Sequence, residues 1–337
     1  MKISVNGYGT IGKRVAEGID KHPKLKLVGV AKYTPDQDAR LANMLGYRVF
    51  VPKESMDKFK DEGINVAGTV EEMIEESDII ADASSDGKGM INKEIYKKKN
   101  KPAIFQGGEK AGIAEISFNA RSNFEKAKGK KYIRVVSCNT TGYSRVIKPL
   151  TENYDIENIN AILIRRAADP NDTKGPLNSI EWKANSHHAE DVRTIIDVPM
   201  TSIAFKAPHT LSHVNSMTVR FKGKSPSKED ILDIFSKESR VVCLRKASST
   251  SQITEAARDI GLKRYDMYTT NLLMNSIMIS GNEMFLTFVV PQESIVVPEN
   301  IDAIIAQAGL MEKEESMNAT DKLLGIDKIK KDIERLL

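Results

Sequence analysis

A short apolar run, Ile3-Ser4-Val5, passes through Asn6 into Gly7-Tyr8-Gly9-Thr10-Ile11-Gly12 and then into an amphipathic stretch. Three glycines at this spacing, between a strand and a helix, leave few folds open. The first permits a tight turn, the second lets the backbone approach a ligand, and the third lets helix and strand pack closely. Ile11, Val15, Ala16 and Ile19 recur at helical spacing, which predicts a helix over 10–20. The N–H groups exposed at such a helix start suit a pyrophosphate. Gly7, Gly9 and Gly12 are therefore expected to cradle a dinucleotide.

The rest of the first half repeats the alternation. Strands are expected at 25–30, 79–83, 103–105 and 133–136, with helices at 70–76 and 88–100. Alternation of this kind predicts a parallel sheet with helices on both faces. After Cys138 the pattern changes. A helix over 142–153 precedes strand-like runs at 159–165, 214–221, 241–244 and 284–290, with helices near 228–237 and 254–260. Fewer crossover helices imply a mostly antiparallel sheet. Residues 299–337 read as two or three helices, the first with Ile301, Ile304 and Ile305 on an apolar face. The expected fold class is α/β: a Rossmann dinucleotide-binding domain over 1–138 and an α+β catalytic domain over 139–298. The C-terminal helices of 299–337 are expected to pack back on the first domain.

The end of the second strand bears on which dinucleotide binds. An acid there commonly holds the ribose hydroxyls of NAD. Here the strand ends Gly29-Val30-Ala31-Lys32-Tyr33-Thr34, with Asp36 and Asp38 expected to lie beyond reach. Lys32 favours a 2′-phosphate, so NADP is expected with NAD tolerated. The turns Ser84-Ser85-Asp86-Gly87 and Gln106-Gly107-Gly108-Glu109-Lys110 follow later strands and are expected to wall the cofactor crevice.

Cys138 sits where an apolar run, Val135-Val136, breaks into a helix start, Ser137-Cys138-Asn139-Thr140-Thr141-Gly142. A thiol at a helix N-terminus is expected to have a lowered pKa. The same N–H groups can hold an oxyanion when the thiolate attacks a carbonyl. A thiolate nucleophile wants a nearby acid/base. Four of the five histidines, His187, His188, His209 and His213, crowd into one stretch of the second half. His187-His188 reads as a helix start capped by Asn185 or Ser186, suited to an anion. Arg165-Arg166 ends a strand, where one of the pair is expected to face the site.

Composition removes other classes. The chain has 337 residues with 40% hydrophobic and 28% charged, enough for two cored domains. A net charge of +4 is too small and too dispersed to argue for nucleic acid. It is compatible with an anionic small-molecule substrate. Two cysteines build neither a disulfide framework nor a zinc ligand set, so no metal is expected and a reducing cytoplasm is the natural compartment. The N-terminus enters a strand at once, which argues against a signal peptide, and no apolar run is long enough for a membrane span.

Six segments together resemble a known family. They are Asn6-Gly7-Tyr8-Gly9-Thr10-Ile11-Gly12-Lys13-Arg14, Gln106-Gly107-Gly108-Glu109-Lys110, Ser137-Cys138-Asn139-Thr140-Thr141-Gly142, Arg165-Arg166-Ala167-Ala168-Asp169-Pro170, Ser186-His187-His188, and 291–300 from Pro291-Gln292-Glu293 onward. In this order, over nearly the whole chain, they are similar to archaeal-type phosphorylating glyceraldehyde-3-phosphate dehydrogenase. The resemblance implies Cys138 as nucleophile, with Ser137, Asn139 and Thr141 at the substrate and His187 and His188 at the phosphorylated substrate or attacking phosphate. It implies that Thr10, Ile11, Gly108, Arg166 and Gln292 bind NADP or NAD. His213 takes the place of the family's base. Two departures stand beside it: His209 replaces a threonine, which makes it a rival base, and Ser212 replaces a methionine. Asn215 stands where the family often has a second histidine.

The implied reaction oxidises glyceraldehyde 3-phosphate through a Cys138 hemithioacetal to a thioester that inorganic phosphate breaks. The family also implies a homotetramer, with Met278, Ile279 and Phe285 as candidates for a subunit-facing sheet. The alternatives are a semialdehyde dehydrogenase of the same architecture, of the aspartate-semialdehyde or N-acetyl-glutamyl-phosphate reductase type, and a non-catalytic dinucleotide-binding regulator.

Overall fold

Strand β1 (Lys2–Asn6) has all but its first residue buried, and the N-terminal sheet is built outward from it. In the computed structural model, which describes residues 1–106, 108–167, 178–184 and 186–337, this sheet also contains β2 (Lys26–Ala31), β3 (Val49–Val51), β4 (Val66–Thr69), β5 (Ile79–Asp82), β6 (Ala103–Gln106), β7 (Ile116–Phe118) and β8 (Tyr132–Val135). Its order is β4-β3-β2-β1-β5-β6-β8-β7, and every pair is parallel. The order reverses at β1. In open parallel sheets a ligand crevice lies at the carboxyl ends of the strands at such a reversal. Gly7 to Gly12 follow β1 directly at that position.

Helix Gly12–Lys21 buries Val15, Ala16 and Ile19 against the sheet. Helix Val297–Ala308 closes the same core with Ile301, Ile304 and Ile305, each fully buried. At about 1.5–3 kcal/mol for each fully buried aliphatic side chain, such a face anchors a helix far better than propensity does. Helix Val70–Glu76 begins on a reciprocal cap: Thr69 Oγ1 accepts from Glu72 N, and Glu72 Oε2 accepts from Thr69 N.

A second sheet contains β9 (Ile156–Arg166), β10 (Glu181–Lys183), β11 (Met200–Ala207), β12 (His213–Phe221), β13 (Val241–Leu244), β14 (Thr270–Ser280) and β15 (Glu283–Val290). Its order is β10-β11-β9-β12-β15-β14-β13. Only β11/β9 and β13/β14 are parallel, so the sheet is mixed and mostly antiparallel. Helix Cys138–Asn153 lies close on β15. A Cβ on Gly142 would come within 2.6 Å of Val290 Cγ2, and the Tyr143 ring meets Phe288 edge-on at 5.2 Å. That burial explains why the helix begins at Cys138, four residues before its expected start. Asn139, Thr140 and Thr141 are weak helix formers, yet all three are buried in its first turn.

The chain forms two compact units, Met1–Ser137 with Val296–Leu324 and Cys138–Ile295 with Gly325–Leu337. The C-terminal segment is therefore split. Helices Val297–Ala308 and Lys313–Leu324 fall in the first unit. Helix Ile326–Leu336 packs Ile329 and Ile333 with Val242 and Leu244 in the second. No helix among the described residues is long and apolar enough to cross a membrane.

Candidate active site

The glycine turn after β1 has the shape its spacing predicts. Gly7 adopts φ +100°, a left-handed conformation that favours glycine, and a Cβ there would come within 2.7 Å of Ala83 carbonyl atoms. A Cβ on Gly12 would lie 1.8 Å from the Gly7 carbonyl oxygen. Nothing stands within 4 Å of the same point at Gly9, so the backbone there is open to a ligand. Thr10 and Ile11 lead directly into the helix start. One glycine turns, one stays open and one packs, as a bound pyrophosphate requires. The residues present fit a dinucleotide.

The charges at the end of β2 are paired. Lys32 Nζ donates to Asp36 Oδ2 at 2.7 Å, and Lys13 Nζ to Asp38 Oδ1 at 2.9 Å. The short turn after the strand brings Asp36 back as the N-cap of helix Gln37–Met44, where its other oxygen accepts from Asp38 N and Ala39 N. Lys32 is thus a buried lysine with a partner. Beside it, Tyr33 Oη donates to Asn6 Oδ1 at 2.8 Å. Asn6 Nδ2 donates to Tyr96 Oη at 2.6 Å, and Tyr96 donates to Asp82 Oδ2 at 2.7 Å. This chain ties together the ends of β1, β2 and β5. Burial and the Asp82 charge push the Tyr33 phenol up to about 12. On β6, Gln106 accepts from Asn300. Gly108 is exposed close to Asp86, whereas Gly107 lies outside the described residues.

In the second unit, Cys138 is the first residue of its helix. Asn139 Nδ2 donates to the sulfur at 3.8 Å. The expected lowering of the thiol pKa is not what results. Cys138 keeps part of its surface open, but protein atoms crowd the sulfur, and lost hydration pushes it up to about 11. Arg165, then Arg166, then the Asn139 backbone N–H pull it down, and Glu293 pushes it up. Ser137 and Cys138 are half-buried, while Asn139 and Thr141 are buried.

His213 opens β12. Asn215, two residues on and therefore on the same face, donates through Nδ2 to Asn139 Oδ1 at 3.1 Å. His213 thus lies on the side of the sheet that carries the cysteine helix. Its Nδ1 accepts from the Arg166 backbone N–H at 3.1 Å. With Nδ1 an acceptor, the neutral ring carries its proton on Nε2. Burial, with Arg166 and Arg165 adding to it, holds the ring well below the usual histidine range, so it is neutral. In that tautomer the His213 Nε2 carries the proton. His209 has a buried Nδ1 without a partner among the described residues, and burial lowers its pKa too.

Of the arginine pair, Arg166 is buried and Arg165 exposed. Arg166 forms an ion pair with Glu293 and also donates to Thr210 O at 3.3 Å. Arg165 gives the larger favourable field at Cys138. His187 and His188 stack with ring centroids 4.2 Å apart. Asn185 lies outside the described residues, and Ser186 does not cap the helix. Its hydroxyl pairs with His188 Nδ1 at 2.5 Å, and the N-cap position falls on His187 with no side-chain cap. His188 is buried and pushed down to about 3, first by burial and then by the charges of His187, Arg165 and Lys183. Ala168, Asp169 and Pro170 lie outside the described residues. Gln292 stands half-buried in the turn that carries Glu293.

Sequence reasoning did not foresee that Asp36 pairs with Lys32, Glu293 with Arg166 and Asn215 with Asn139. Only the last left a sequence signal, a polar residue two places after His213 on the strand face that Met217, Val219 and Phe221 continue.

A Rossmann sheet with an open glycine cradle, followed by a mixed sheet, is the architecture of a two-unit dinucleotide-binding protein. Residues 137–262 match the family model for the glyceraldehyde 3-phosphate dehydrogenase C-terminal domain. The chain is 46% identical to a glyceraldehyde-3-phosphate dehydrogenase of Sulfurisphaera tokodaii over 97% of this chain and 98% of that one. It is also 46% identical to one from Sulfolobus acidocaldarius over 97% and 98%, and to one from Pyrococcus abyssi over 97% and 99%. The chain belongs to the glyceraldehyde-3-phosphate dehydrogenase family, in its archaeal type.

Proposed function

We propose that this chain oxidises D-glyceraldehyde 3-phosphate to 1,3-bisphosphoglycerate with NAD(P) and inorganic phosphate, through Cys138. The observation that carries the reading is the cysteine itself. It stands at a helix start with the Asn139 amide on its sulfur and an arginine field around it. The Cys138 thiol, whose surface is partly open, gives its proton to solvent water. The thiolate then attacks the aldehyde carbon, forming a C–S bond and leaving an alkoxide. The Cys138 backbone N–H and His213 Nε2–H meet that oxygen and hold it as the alkoxide. When bound, the nicotinamide supplies a hydride acceptor, and loss of hydride from the same carbon leaves a thioester. A phosphate oxygen attacks the thioester carbonyl, the C–S bond breaks, and the acyl phosphate leaves with the thiolate restored.

Both phosphates need cations. Arg165, Lys183 and His187 are exposed near the buried His188 and give an anion-attracting surface. Gly7, Gly9, Thr10, Ile11 and Gly12 hold the pyrophosphate, and Gly108, Arg166 and Gln292 complete the cofactor contacts. Lys32 favours the 2′-phosphate of NADP, and its pairing with Asp36 keeps NAD acceptable.

We further propose that the protein works as a homotetramer in the cytoplasm. One face of the second sheet supports the assembly. Trp182, Ile203, Ile162, Ile164 and Met278 are exposed there, and Phe285, paired with Met278, continues the row. A second copy of the chain would cover this apolar strip.

Steady-state rates with glyceraldehyde 3-phosphate, with and without phosphate and with each nucleotide, test the reading. Turnover that requires phosphate and is abolished in Cys138→Ser is expected. Undiminished turnover without phosphate would overturn it, as would faster oxidation of aspartate semialdehyde. Sedimentation velocity of the intact protein checks the assembly.

A further inference from the structure

Asn215 is fully buried on β12, two residues from His213. Its Nδ2 donates to Asn139 Oδ1 at 3.1 Å, and Asn139 Nδ2 donates in turn to Cys138 Sγ at 3.8 Å. Asn139 is itself buried. A carboxamide has two ends of nearly equal size and opposite polarity. With its NH2 toward sulfur, Asn139 stabilises a thiolate. With its carbonyl toward sulfur, it repels one. Local sequence does not choose between these orientations. The donor from β12 does.

We propose that Asn215 is a positioning residue for Cys138, anchoring the Asn139 carboxamide so that its NH2 end faces the sulfur. This rests on Cys138 being the nucleophile. The second end of Asn215 adds to the case. Its Oδ1 is buried without a partner among the described residues. A buried acceptor left unmade costs stability, and nothing in the packing described compensates for it. A leucine at 215 would remove the donor that fixes Asn139. An aspartate, which only accepts when ionised, would turn the Asn139 carbonyl toward the sulfur and add a negative charge.

The test is the pH dependence of Cys138 alkylation by iodoacetamide in the full-length protein, with the adduct mapped by mass spectrometry to separate it from Cys243. Hydrogen bonds to charged groups set the scale, so Asn215→Leu is expected to slow alkylation about tenfold at a fixed pH below the thiol pKa. The rate curve should move to higher pH by about one unit, and Asn215→Asp should move it further. In Asn139→Ala, adding Asn215→Leu should change the curve no more, because the residue it acts through is gone. Affinity for NADP should not move in any of these variants. The proposal is overturned if Asn215→Leu and Asn215→Asp fold and alkylate with the parent curve, or if the effects of the 139 and 215 substitutions add. Alkylation does not depend on which aldehyde is the substrate. Failure of the phosphorylating assay would therefore leave this test standing, and the reverse also holds.

Discussion

The cradle after β1 and the cysteine site at the start of the second unit are made in opposite ways. The cradle is six consecutive residues, and its working parts are backbone N–H groups and absent side chains. The cysteine site draws on four stretches of chain, around residues 138, 165, 213 and 293, and its working parts are side chains whose charge and orientation depend on their neighbours. A site made of backbone is specified by spacing. A site made of side chains is specified by burial and hydrogen-bond direction, which appear only once the sheet has formed.

The largest effect should come from breaking the cradle. Gly12→Ala places a methyl 1.8 Å from the Gly7 carbonyl oxygen. Backbone cannot yield that much without losing the turn. Calorimetric titration should show nucleotide affinity lost by about 100-fold or more, on the scale of an overpacked core, while Cys138 still alkylates. Retained affinity would mean that the cradle is not where the pyrophosphate sits. His213→Asn asks the opposite question of the second site. Turnover should fall on the order of 10²–10³-fold, the scale of a lost oxyanion donor, with NADP affinity unchanged. If His209→Asn gives the larger loss instead, the roles of the two histidines are exchanged.

This contrast also explains which parts were legible in advance. The helix over 70–76 was expected at the bounds it has, because Thr69 and Glu72 cap it locally. β13 was equally clear as a short apolar run. β14 was not, since Asn271, Asn275 and Ser276 interrupt its apolar pattern and its pairing with β15 slips between Leu273 and Met278. The place of Cys138 between strand and helix was legible. Its pKa was not. The helix start favours the thiolate, yet burial outweighs it, and burial is set only once the chain has folded. The histidine tautomer was equally hidden, because it turns on a single backbone N–H, that of Arg166.

Glu293 sharpens the electrostatic side of the comparison. Its carboxylate pairs with buried Arg166 and raises the Cys138 pKa. Glu293→Gln removes the charge and keeps an acceptor for Arg166. The thiol pKa should then fall, so alkylation at a given pH below it becomes faster and the rate curve shifts to lower pH. Stability should fall as well, by up to about 3 kcal/mol, because the Arg166 charge stays buried without its counter-ion. Faster alkylation with a lower melting temperature is the expected pair of results. Slower alkylation would show that Glu293 acts on the sulfur mainly by holding Arg166 in place.

The smallest effect concerns a pair of side chains at the end of β2, outside the cradle. Asp36 both caps a helix and neutralises Lys32. Asn in its place keeps the cap, since an amide oxygen accepts from Asp38 N and Ala39 N as a carboxylate does. It gives up the ion pair. Lys32 is then freer to meet a 2′-phosphate, and the preference for NADP over NAD in kcat/KM should rise about two- to fivefold, the scale of a partly exposed ion pair. Lys32→Ala should move the ratio the other way. The glycines are untouched in both variants, so affinity for the shared pyrophosphate should hold. A ratio that ignores both substitutions would place nucleotide choice elsewhere. One that falls in Asp36→Asn would mean that the carboxylate holds Lys32 in the position from which it reads the phosphate.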